Sequence, residues 1–306
     1  MKYLFTLILL CISFTISAQT DEQAVETIFK NSLTNGMSYQ WLDHLSNQIG
    51  GRLSGSLNAE RAVEYTKEEL EKLVAVLRKW NITVLWDEIY GGINFCEKTF
   101  FSLPSLYPER TILTSGLSKL FSAGGYRLGY AIFPEQMTEL VSAMHALISE
   151  TYSCVNAPLQ YATADLYRSD SMFEFIEHSR KIHKAAGDFL YENFTSIGLR
   201  CHRPEGAFYL FPDFSPFSDA LKAKGLTTSR ELGLHLINNF GVAMLPGEDF
   251  LHPGDAYAFR VATVDYDGSR ALSMLERGES VDALENECFG NMAAGCEALG
   301  EFIKTL

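Results

Sequence analysis

Six short apolar stretches punctuate the chain from residue 82 onward: ITVLWDEIY (82–90), RTILTSGLS (110–118), GYRLGYAIFP (125–134), GAFYLFPDF (206–214), GVAMLPG (241–247) and AFRVATVDY (258–266). Each is rich in β-branched or aromatic residues and bounded by Gly, Pro, Asn or Asp, the pattern of a short buried strand. Helical stretches lie between them, 135–149 and 171–194 among the longest. Strands alternating with helices define an α/β class.

The region before residue 82 has a different texture. MKYLFTLILLCISFTISA sets Lys2 before a short apolar run and ends in small residues, the layout of a secretory signal peptide over residues 1–18. The run is too short to span a bilayer. Val25, Ile28 and Phe29 predict a first helix, and Trp41, Leu42 and Leu45 a second. After the glycine-rich loop IGGRLSGS, Asn58 is expected to cap a long helix with Val63, Leu70, Leu73, Leu77 and Trp80 on one face. VAVLRKW finishes that helix and Asn81 breaks it.

The chain has 306 residues and a formal charge of −13, which argues against nucleic acid or an anionic membrane surface as a partner. Its cysteines pull against the leader. Cys11 would leave with the signal, and the five remaining thiols are scattered, which suits a reducing compartment better than a disulfide framework. The leader therefore implies export, whereas the body alone implies the cytoplasm.

The chemistry-bearing residues cluster at strand ends. Asp87 closes the apolar run ITVLW, where side chains emerge from an α/β sheet and ligands usually dock. Strand alternation turns Asp87 and Glu88 to opposite sides, and Tyr90 follows. Lys119 follows TILTSG, flanked by Gly116, Leu117, Ser118 and Leu120, and such partial desolvation disfavours its ammonium and prepares the amine to attack an aldehyde. Arg127 sits in GGYRLG, where glycines let the backbone approach an anion and the guanidinium fork matches a phosphate. An Asp, a Tyr, an amine and a phosphate-binding Arg together describe one cofactor, pyridoxal 5′-phosphate, with its ring nitrogen, phenolic oxygen, aldehyde and phosphate.

WDEIY, SGLSKLFSAGGYRLGY, GAFYLF, LPG and FRVATVDYDG, in this order, resemble the class I/II aminotransferases of the aspartate aminotransferase superfamily, from about residue 74 to 306. The resemblance implies part of a fold-type-I large domain with a mostly parallel sheet over 74–160. It also implies a smaller α/β domain over 161–306, behind a helical lead-in at 19–73. Lys119 would hold the cofactor covalently and shuttle a proton between the substrate α-carbon and cofactor C4′. Asp87 would pair with the pyridine nitrogen, Tyr90 with the phenolic oxygen and Arg127 with the phosphate. Arg260 would clamp the substrate α-carboxylate. The implied partners are an amino acid and a 2-oxo acid, and a second copy in a homodimer.

Three departures accompany the resemblance. Family members often carry a serine three residues before the lysine, where this chain has Gly116. They also carry well over a hundred residues before the Asp-bearing strand, with a phosphate loop and a ring-stacking aromatic for which no counterpart precedes Asp87. Residues 19–72 instead resemble the start of secreted zinc-dependent aminopeptidases, through GGRLSGS. No His-x-Asp or HExxH spacing follows it, so no metal is expected. The chain reads as a truncated or chimeric aminotransferase. The alternatives are an inactive or artefactual fusion module, and another fold-type-I enzyme catalysing decarboxylation, racemisation or β-elimination.

Overall fold

Helix α1 runs from Leu57 to Lys79 and ends at Asn81, whose φ of +54° lies in the left-handed region that Asn tolerates better than most residues. A computed structural model describes residues 57–95 and 101–306. The signal peptide and most of the lead-in, with their two expected helices and GGRLSGS, lie outside the described residues. The chain divides into two units, Met1–Thr66 and Lys67–Leu306, and all that follows on packing concerns the second.

α1 corrects the expected apolar face. Val74 and Leu77 are buried against Leu103 and Tyr107, while Leu73 and Trp80 are exposed. The buried stripe of α1 packs against the short helix α2 (Leu103–Leu106) and the residue after it. The Tyr107 hydroxyl locks that contact by donating to the carbonyl of Ile82 at 2.9 Å. Asn58, expected as the cap, falls in the first turn of α1.

All six expected strands form, each shorter than its apolar run. β1 (Val84–Asp87), β2 (Thr111–Gly116) and β3 (Gly129–Ile132) make one sheet in the order β1-β2-β3. β1 and β2 are parallel, with Asp87 opposite Thr114, and β2 and β3 are antiparallel, with Gly116 opposite Gly129. β2 runs directly into the one-turn helix α3 (Leu117–Leu120), which carries Lys119. Helices α4 (Thr138–Thr151) and α5 (Ala157–Leu166) follow.

The second sheet is built from β4 (Tyr209–Leu210), β5 (Leu245–Pro246) and β6 (Phe259–Ala262), all antiparallel in the order β4-β6-β5. Five helices flank it: α6 (Ser171–Ser196), α8 (Ser229–Phe240), α9 (Gly268–Glu276), α10 (Ala283–Cys288) and α11 (Gly290–Lys304), with the short α7 (Ser218–Ala223) preceding α8. α6 buries Met172, Ser179, Ile182, His183, Ala186, Leu190 and Phe194, a helical spacing that turns one stripe to the sheet. α8 starts on a capping box between Thr228 and Glu231 and stops at Gly241, whose φ is +69°. Phe214, Phe259, Leu232, Leu236, Phe289 and Phe302 are fully buried in the core, each contributing roughly 1.5–3 kcal/mol of apolar burial.

One short tie brings the two sheets together. The Ala207 N–H donates to the Ile93 carbonyl at 2.7 Å and the Phe95 N–H to the Glu205 carbonyl at 2.9 Å, with Asn94 opposite Gly206. A Cβ on Gly206 would lie 2.9 Å from the Ile93 oxygen, so only glycine allows this approach. The segment after β1 is thereby pinned to the segment entering β4.

Candidate active site

Asp87 ends β1, and Lys119 lies in the helical turn that follows the parallel strand β2, so both stand at the C-terminal edge of this strand pair. The Asp87 side chain is exposed and its Oδ1 accepts the Ile89 N–H at 3.1 Å, which steadies the carboxylate and leaves its other oxygen open. Glu88 points to the other side and accepts from the Trp86 indole N–H at 2.7 Å, so alternation separates the two acids as expected. Tyr90 lies in the turn beyond. Its hydroxyl sits 3.1 Å from that of Tyr209, and its ring packs edge-on against Phe208 at 5.4 Å.

The Lys119 Nζ lies 5.6 Å from the centre of the Phe208 ring and 6.0 Å from that of Tyr90, a half-buried amine resting on aromatic faces. Arg260, on β6, places its guanidinium 4.7 Å from the Tyr209 ring and 4.3 Å from the Phe250 ring. Burial and the Tyr209 hydroxyl push the Tyr90 phenol well above its ordinary value; the Arg260 charge pulls it down and Asp87 pushes it up. The phenol is therefore a hydrogen-bond donor at neutral pH, and it feels both charges.

Of the five residues singled out in the sequence, Lys119 and Arg260 lie against the wall of Tyr90, Phe208 and Tyr209, and the Asp87 charge acts on the Tyr90 phenol. Arg127 does neither. It follows the 3₁₀ turn Gly124–Tyr126 with φ +54°, and its exposed side chain folds back so that Nη1 donates to the Gly124 carbonyl at 2.9 Å. Among the described residues it shares no hydrogen-bond or ring partner with the other four.

The structure supplies a reason for Gly116. Its backbone is extended, a conformation open to any residue, but a Cβ there would lie 2.8 Å from the Leu128 oxygen and 3.0 Å from the Gly129 Cα. Those are backbone atoms at the start of β3 and cannot step aside cheaply. Gly116→Ala is expected to cost about 1–3 kcal/mol, read as a lower urea midpoint. Unchanged stability would show that β3 yields.

Sequence reasoning missed four aromatic or imidazole groups here. Phe208 and Tyr209 stood in GAFYLF as apparent strand core, and Phe250 in the loop after LPG. His183 is buried on α6, 5.2 Å from the Phe208 ring centre, with its Nδ1 3.0 Å from the Tyr266 hydroxyl. Its place on the buried stripe of α6 was the available signal. Desolvation pushes His183 down to about 4 and Tyr266 up to about 12. As pH falls from the ordinary His value near 6.5 towards 4, the unfolded chain takes up a proton that the folded chain refuses, so folding weakens across that window. The expected loss from this residue is up to about 3 kcal/mol. Urea unfolding at pH 7 and pH 4.5 tests this, with His183→Gln expected to flatten the difference.

Among the described residues no helix is long and apolar enough to cross a membrane, and Cys154, Cys201, Cys288 and Cys296 are free thiols.

The chain has the α/β fold of the fold-type-I class, with Asp87 and Lys119 at the ends of parallel strands and Arg260 on a second sheet. The family model for class I and II aminotransferases matches residues 55–266, and the chain belongs to that family. Its members use pyridoxal phosphate. The match begins earlier than the expected start near residue 74 and takes in part of the segment likened to a peptidase. An aspartate/prephenate aminotransferase of Thermus thermophilus is 32% identical over 197 residues, 64% of this chain and 48% of that protein. An aspartate aminotransferase of a Bacillus species is 31% identical over 193 residues, 62% of this chain and 47% of that protein. The chain thus spans about half the length of the curated relatives it matches. A solved mutant of Thermus thermophilus aspartate aminotransferase, complexed with tryptophan, superposes with a TM-score of 0.58 at 26% identity, covering 77% of this chain and 52% of that one.

Proposed function

We propose that this chain carries the lysine-bearing part of a pyridoxal-phosphate-dependent aminotransferase, moving an amino group between an amino acid and a 2-oxo acid. The observation that carries the reading is the placement of Lys119 and Arg260 against the wall formed by Tyr90, Phe208 and Tyr209, with Asp87 at the end of the strand neighbouring the one that leads to Lys119. The donor set fits the cofactor: an amine for its aldehyde, a carboxylate for its ring nitrogen and a phenol for its phenolic oxygen.

When bound, pyridoxal phosphate supplies an aldehyde and an electron-withdrawing ring. Lys119 Nζ would be the nucleophile towards that aldehyde and the base that carries a proton to and from the substrate α-carbon. The Asp87 carboxylate would hold a proton on the ring nitrogen. Tyr90 would donate its hydroxyl to the phenolic oxygen, and Arg127 would meet the phosphate. Arg260 receives the α-carboxylate through its paired N–H groups.

The same reading assigns residues 74–160 to the large domain and 161–306 to the small one, in a homodimer, with residues 1–18 directing export. Titrating the purified protein with pyridoxal phosphate tests it. A violet-region absorbance band, lost on borohydride reduction with one phosphopyridoxyl group fixed per chain, is expected. A spectrum equal to that of the free cofactor would remove the reading.

A further inference from the structure

The Arg260 guanidinium lies against two rings. Its carbon is 4.7 Å from the centre of the Tyr209 ring, on β4, and 4.3 Å from that of Phe250, at the end of the 3₁₀ turn Gly247–Phe250. Phe250 is itself fixed edge-on against Phe211 at 5.9 Å and 82°. Among the described residues no carboxylate pairs with Arg260, and the side chain is half-buried, so its charge is offset by aromatic faces alone. A planar cation against rings keeps its orientation while its N–H edge stays available for an anion. The Tyr209 hydroxyl meanwhile sits 3.1 Å from that of Tyr90. One side chain thus touches both the carboxylate-facing and the cofactor-facing groups.

We infer that Tyr209 is a positioning residue with two separable actions. Its ring, with that of Phe250, forms a slot that sets the plane of Arg260 for a bidentate carboxylate, and its hydroxyl sets the Tyr90 phenol. The inference rests on the reading of Arg260 as the carboxylate clamp. It assigns carboxylate affinity to the two aromatic faces and the electronic state of the bound cofactor to the hydroxyl.

The experiment separates the two actions in the full chain. Phe250→Leu and Tyr209→Leu keep apolar volume and remove a π face, whereas Tyr209→Phe keeps the face and removes only the hydroxyl. In cofactor-free protein, the rate at which phenylglyoxal modifies Arg260, followed by peptide mass, is expected to rise by roughly fivefold in both leucine variants and to stay unchanged in Tyr209→Phe. In cofactor-loaded protein, KM for the amino acid rises by a similar factor in both leucine variants, as loss of carboxylate binding requires, and Tyr209→Leu, which also loses the hydroxyl, moves the cofactor's pH profile as well. Tyr209→Phe leaves KM in place and shifts the pH at which the cofactor's visible band changes. Leucine variants with wild-type Arg260 reactivity and wild-type KM overturn the slot, and an unmoved pH profile in Tyr209→Phe overturns the hydroxyl role. Failure of Lys119 to take up pyridoxal phosphate would instead remove the underlying aminotransferase reading, while the Arg260 reactivity pattern still decides the slot.

Discussion

Lys119→Ala is expected to abolish borohydride-stable attachment of pyridoxal phosphate and to lower any transamination by at least roughly 10⁴-fold, the upper range for a positioned acid–base group. The reason is structural as well as chemical. Lys181 and Lys184, on α6, are ion-paired with Glu177 at 3.5 Å and Asp188 at 2.5 Å. Lys119 has no such ion pair among the described residues; it rests on Phe208 and Tyr90 at the end of β2. Reduction of the loaded protein followed by peptide mapping should place the phosphopyridoxyl mass on Lys119 and nowhere else. A label on Lys181 or Lys184 would sink the assignment. The variant should still bind some cofactor non-covalently, seen as quenching of intrinsic fluorescence, because Asp87 and Tyr90 remain.

Asp87→Asn should retain the covalent attachment yet slow proton removal from the substrate by more than the roughly 10²-fold typical of one lost electrostatic contact. Asn keeps an oxygen for the Ile89 N–H, which bonds Asp87 at 3.1 Å, so the turn beyond β1 should hold its shape. What disappears is the negative charge that keeps a ring nitrogen protonated. Stopped-flow absorbance of the amino-acid half-reaction reads the effect directly. A half-reaction at the wild-type rate would show that Asp87, exposed as it is, serves only the turn.

The α/β class and all six strand positions were legible in the linear order, because each depends on local chemistry. β-branched and aromatic runs make strands wherever a partner exists, and Asn81 ends α1 by its own tolerance of positive φ. The orientation of Asp87 away from Glu88 followed from alternation alone. The apolar face of α1 was misjudged for the opposite reason. Leu73 and Val74 are adjacent and equally apolar, and only the position of Leu103 and Tyr107 decides that Val74 is buried.

The site divides in the same way. Residue identity marked the candidates: an amine among small residues, an acid at a strand end, a guanidinium in FRVATVDYDG. Tertiary structure alone decided what surrounds them. Tyr90 meets Tyr209 across 119 positions because Ile93 and Phe95 pair with Ala207 and Glu205. Arg260 lies against Tyr209 and Phe250 because β6 runs between β4 and β5 and the turn after β5 folds back over it. Gly116 is small because the backbone of β3 passes within 3 Å of where a side chain would begin. Burial, desolvation and close approach arise between segments distant in sequence, so no local pattern encodes them.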